Sequence, residues 1–129
     1  MIAAVATAAG SFAVDLDTGE LEPWDEPVDP AAPPSLNLPR VLAAAASGAT
    51  VVAVVDTKPP LVVSHDAGAT WRESGRGLPA GRAVAIADDD PDTIVYAARN
   101  RLYVTRDGGV FWHALEVELP EIDALSVRD

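Results

Sequence analysis

An all-β fold of repeated four-stranded antiparallel units is predicted by three observations. The sequence repeats itself without a gap at a shift of 41 residues. Short runs with the period of strands are punctuated by turn residues. No segment carries a convincing helical period, and at 129 residues with 49% apolar composition the chain fits one packed domain.

The repeat is clearest where VAVVDTKPPLVVSHDAGATW (52–71) lies over TIVYAARNRLYVTRDGGVFW (93–112). LAAAASG (42–48) then lies over AVAIADD (83–89), and Leu78-Pro79 over Leu119-Pro120. Taken from the N-terminus, residues 1–24 form a partial unit, because IAAVATAAGSFAVDLDTG (2–19) matches 51–68 at a shift of 49 and supplies strands B, C and D. A Pro-rich stretch over 22–39 reads as a long surface loop. Residues 40–79 and 80–120 are complete units with strands A to D. In the first of these VLAAAAS has helical propensity, but its equivalent AVAIADD is β-branched and short, so a strand with small side chains for a crowded interior is expected. Residues 121–129 begin another unit and hold a single A strand.

Two octets mark the C–D turns, SHDAGATW (64–71) and TRDGGVFW (105–112). Gly68 and Gly109 supply positive φ, while Asp66 and Asp107 can accept hydrogen bonds from amides of their own turns. The hydroxyls of Ser64 and Thr105 can hold those carboxylates. Trp71 and Trp112 offer large apolar faces to the gap beside the next sheet. These octets, S/T-x-D-x-G-x-x-W, resemble the Asp-box or BNR repeat of sialidase-like β-propellers. The match covers Ser64, Asp66, Gly68, Thr70 and Trp71 in full. It covers Thr105, Asp107, Gly109 and Trp112 with Phe111 in place of the usual Thr, and it is partial at Asp17 and Gly19, where Asp15 replaces the hydroxyl residue. The resemblance implies β-propeller blades, three per chain, with the boxes at the periphery in structural roles and remote from any active site.

Composition narrows the function. The absence of Cys excludes disulfides and thiolate chemistry. A net charge of −11 repels phosphate backbones and anionic membranes, so neither nucleic acid nor membrane is an expected partner. No stretch approaches the roughly 18 uncharged apolar residues of a membrane span. The apolar N-terminus lacks a preceding Lys or Arg and reads as structure, so a cytoplasmic protein is expected. A single lysine, Lys58, amid many Asp fits either a halophilic-type composition or GC-rich codon usage.

No catalytic, cofactor-binding or metal-ligating residue is assigned. His65 and His113 have no metal-ligand spacing, Tyr96 and Tyr103 read as packing residues, and DDDPD (88–92) reads as a solvated loop. Sialidases similar in their boxes use an arginine triad and a Tyr–carboxylate pair, but the Arg-Ile-Pro signature is missing here. The expected function is a non-catalytic propeller scaffold or binding module for protein or carbohydrate ligands. The alternative is a sialidase-like glycoside hydrolase with its site at an oligomer axis. Three blades with a missing first A strand and a spare last one imply a two-fold homodimer closing a six-bladed ring, EIDALSVRD of each subunit pairing with IAAVAT of the other. An open half-ring capped by another protein and a larger ring are the other possibilities.

Overall fold

A computed structural model describes residues 1–128. Among them there is no helix, and twelve strands form three four-stranded antiparallel sheets. The strands are β1 (Ile2–Thr7), β2 (Gly10–Asp15), β3 (Leu21–Pro23), β4 (Val41–Ser47), β5 (Thr50–Val55), β6 (Leu61–Ser64), β7 (Arg72–Ser74), β8 (Ala83–Ala87), β9 (Asp90–Ala98), β10 (Arg101–Thr105), β11 (His113–Ala114) and β12 (Ile122–Arg128). Two sheets follow chain order, β4-β5-β6-β7 and β8-β9-β10-β11. The Ala-rich VLAAAAS is β4, as its β-branched equivalent implies. Its alanines pair with Val51, Val52, Ala53 and Val54 of β5.

The remaining sheet corrects the sequence expectation. Its order is β12-β1-β2-β3, so the C-terminal strand pairs with β1 of its own chain, from Ile2 opposite Arg128 to Thr7 opposite Ile122. The missing A strand and the spare one are therefore the same strand. Within the described chain β12 runs back to β1 once the third unit is complete. The strand exchange EIDALSVRD with IAAVAT is replaced by pairing within one chain; Asp129, its last residue, lies outside the described residues.

Packing follows from strand alternation, which sends successive side chains to opposite faces. On β9, Val95 and Ala97 join a core with Val5, Val14, Leu125 and Val127 of the first sheet. Ile94, Tyr96 and Ala98 join a second core with Val52, Val54, Leu61 and Val63 of the other. The third unit is thus the middle blade, buried on both faces, and the spatial order is second, third, first. The A strands β4, β8 and β12 lie side by side on the inner edge of this arc. The exposed area of 6948 Å² is close to the roughly 6,500 Å² of a compact monomer of 13.4 kDa.

This order also explains the Pro-rich stretch. The chain leaves the first sheet at its outermost strand and must cross the open side of the arc to reach β4, the inner strand of the second. Pro23 and Glu22 are still strand, tolerated because β3 is an edge. From Trp24 onward the segment is held at its start by the Trp24 amide donating to the Ser11 carbonyl (3.0 Å) and by Arg128, which lies 5.4 Å over the Trp24 ring and pairs with Glu26 (3.3 Å). Its far end is fixed by the Asp56 amide donating to the Arg40 carbonyl (3.1 Å).

Candidate functional site

The two octets fold alike. In the first, the buried Ser64 hydroxyl donates to Asp66 Oδ1 (2.7 Å) and accepts from the Gly68 amide (2.8 Å), while Asp66 accepts from the Thr70 amide (2.8 Å) and hydroxyl. In the second, Thr105 donates to Asp107 (2.7 Å) and accepts from the Gly109 amide (3.1 Å), and Asp107 accepts from the amides of Val110 and Phe111. Thr70 above all, with Ser64, holds the Asp66 carboxyl down to about 2. The Phe111 amide and the Thr105 hydroxyl hold Asp107 below the ordinary range as well. Both carboxylates are spent on their own turns.

The second turn also reaches both neighbouring blades. The Trp112 indole N–H donates to Ser74 Oγ (2.8 Å), and Ser74 donates to the Gly109 carbonyl (2.6 Å), so one hydroxyl of the second unit closes the hairpin of the third. Gly109 has φ 99°, and a Cβ there would stand 2.9 Å from Ser74 Oγ. Trp112 also packs edge-on against Tyr96 at 6.3 Å. Trp71, its equivalent in the blade at the open end, lies over its own Gly68. On the other side Arg106 pairs with Asp17 of the first blade (2.8 Å).

The third, degenerate copy differs from the alignment. Gly19 takes positive φ as aligned, but Asp17 does not hold the turn. Asp15 does: its carboxylate accepts from the amides of Asp17 (2.8 Å) and Thr18 (3.2 Å), which lower its pKa. Asp17 points outward to Arg106 and the chain's amino terminus. An Asp two residues before another amide at a strand end is an Asx-turn signal, and the sequence carried it at Asp15.

The remaining candidates separate from one another. Tyr96 is fully buried, donates to the Pro79 carbonyl (2.7 Å), and burial pushes its phenol up to about 12. Tyr103 packs beside it at 6.2 Å. His65 and His113 are exposed on different hairpins. In the acidic run, Asp90 caps its own turn by accepting from the Asp92 amide and the Thr93 hydroxyl. Among the described residues no cluster of His, Asp or Glu forms a metal-binding group.

A cleft along the inner strands was not anticipated from sequence. A groove of about 410 Å³ follows the inner edge of the arc, lined by residues 42–46 of β4, 82–86 around β8 and 123–128 around β12, with Asp29, Pro30, Ala31 and Pro33 of the crossing loop at one side. Its size is within the range of ligand clefts. Consecutive residues line it on all three strands, although neighbours in a strand point to opposite faces. A groove can meet both kinds only along a strand's free edge. β4, β8 and β12 each pair on one side alone, with β5, β9 and β1. The walls are small and apolar, chiefly Ala, with Leu42 projecting (54% exposed) and the Ser126 hydroxyl buried without a partner. No aromatic residue lines it.

No protein-family model and no curated protein matches the sequence. Among solved structures the chain is similar to the crystal structure of a GH74 enzyme from Niastella koreensis, with a TM-score of 0.52 and 22% identity. The similarity covers 90% of this chain and 17% of that one. It is a likeness of fold.

Proposed function

We propose that this chain is a non-catalytic module of β-propeller blades, a scaffold that binds its ligand along the inner groove. The observation that carries the reading is the groove itself, a cleft of ligand size floored by three unpaired strand edges and walled by small side chains. Such walls offer close approach and hydrogen bonding. They offer neither the aromatic platform that a sugar ring stacks on nor a nucleophile beside a base. The carboxylates that the fold holds ionised by fixed hydrogen bonds, Asp15, Asp66 and Asp107, are on hairpins and spent on turn amides.

The second reading is a carbohydrate-active one, favoured by the likeness to a GH74 enzyme, a glycoside hydrolase. A hydrolase needs two carboxyl groups set about 5–10 Å apart across the sugar. Asp29, Asp88 and Asp123 border the groove, and Asp123 is engaged by Arg82 at 3.8 Å. The two readings part in one experiment: screening the chain against chromogenic glycosides and a glycan array, beside its Leu42→Arg variant, which places a cation in the groove. The module reading expects no turnover. Turnover abolished by Asp88→Asn or Asp123→Asn would replace it with the hydrolase.

A further inference from the structure

We propose that the inner groove docks an extended peptide segment of a partner protein, apolar at its centre and flanked by Lys or Arg, which adds its main chain to the free strand edges. This deepens the module reading and rests on it.

Every sheet here ends inward on a strand paired on one side only, and the row of N–H and C=O groups along its free edge is a template for another strand. Native edges are commonly blunted by charged side chains, proline or bulges along their length. On the inner edges such features sit at strand ends, a bulge at Leu42 of β4 and a register shift at Asp123 of β12 with Arg128 at its far end, while the stretches between are small and apolar: Ala43, Ala44, Ala45 and Ala46 on β4, and Ala83, Val84, Ala85 and Ile86 on β8. Small side chains let a foreign backbone come within hydrogen-bond distance. The Ser126 hydroxyl, already out of water and unpartnered, adds a group that a main-chain amide or carbonyl would satisfy.

Charge selects the peptide's ends. Five charged side chains border the groove, Asp29, Arg82, Asp88, Asp123 and Arg128. Both arginines are occupied, Arg82 by Glu121 (3.0 Å) and Asp123, and Arg128 by Glu26. Asp29 and Asp88 have no cation among the described residues. The rim therefore carries uncompensated negative charge on a chain whose net charge is −11. Such a field draws in cationic segments and repels acidic ones, a second copy of this chain included. A segment of about five residues, roughly 17 Å long, matches β8.

The test titrates the isotope-labelled chain with three capped synthetic peptides, KVTVTVK, EVTVTVE and KVTVTVK N-methylated at its central amides, followed by amide chemical shifts. The proposal expects shifts confined to β4, β8 and β12, about tenfold tighter binding of the lysine peptide than of the glutamate peptide at low salt, and little binding by the methylated one. The doubly substituted Asp29→Asn, Asp88→Asn chain, both positions exposed and outside the sheets' pairing, should bind the two charged peptides alike. Absence of groove shifts at millimolar lysine peptide would overturn the proposal, as would equal affinity of the two charged peptides for the unsubstituted chain. A panel of neutral oligosaccharides separates the levels: groove shifts with sugars alone would overturn the peptide and leave a binding module, whereas silence with every probe would overturn both.

Discussion

Replacing Ser74 by Ala tests whether the octets join blades or merely shape their own hairpins. Ser74 is 7% exposed and its hydroxyl both accepts from the Trp112 indole and donates to the Gly109 carbonyl of the adjacent blade. Alanine strands both partners. Each buried group left unpaired costs about 1–3 kcal/mol, and because Trp112 and Gly109 are only half-buried, water can reach them and the lower end applies, about 2 kcal/mol in all. Unfolding entropy near 2.1 cal/mol/K per residue gives roughly 0.27 kcal/mol/K for a chain of 129 residues, so the melting temperature should fall by about 7 °C. Urea and thermal melts followed by tryptophan fluorescence and circular dichroism would measure it. Trp112→Phe removes the other end of the same bond, so the double variant should lose less than the sum by about 1 kcal/mol. A Ser74→Ala protein melting within a degree of the parent, or strictly additive losses, would refute the interblade role.

Other expectations follow from the same geometry. Leu125→Ala, at 2% exposure on β12, should cost about 2–5 kcal/mol in a urea melt, since it opens a cavity in the core shared with the third blade. Asp66 and Asp107 have folded pKa values below the ordinary 3.8, so they bind protons less readily folded than unfolded; their contribution is complete above that value and is lost as pH falls from about 4 toward 2. Asp66→Asn should flatten the stability profile in that window, measured by urea midpoints at successive pH values. Phe111→Thr should raise the melting temperature, because a hydroxyl there can donate to Asp107 as Thr70 does to Asp66, and the phenyl ring it removes is 76% exposed.

Strands and unit boundaries were legible because the turn chemistry repeats at fixed spacing and the alternation between turns has the period of a strand. Ala44 and Ala45 could be placed in β4 only through their equivalents Ala85 and Ile86, since their own propensity favours a helix. The buried state of Tyr96 was legible for a similar reason, its alignment with Val55 inside a strand run. Two features were not. Periodicity says that residues 122–128 form an A strand, but not which copy of β1 it joins. That depends on where the arc brings the C-terminus, a matter of packing between blades. The groove was hidden because strand edges, rather than a motif, build it, and Leu42, Ser126 and Asp29 share no spacing. The alignment set Asp15 at the hydroxyl position and Asp17 at that of Asp66, but a match of positions does not show that a carboxylate at the first of them takes the turn amides itself, as Asp15 does.

The groove is built from a single chain, with β12 returning to β1 within it. An isotope-filtered nuclear Overhauser spectrum on an equal mixture of labelled and unlabelled protein examines that pairing directly. The account predicts cross-strand contacts between Ala4 and Ser126 and between Ala3 and Val127 in the unfiltered spectrum, with none surviving the filter for contacts between molecules. Those same contacts appearing in the filtered spectrum would mean that β12 belongs to another copy, and would contradict it.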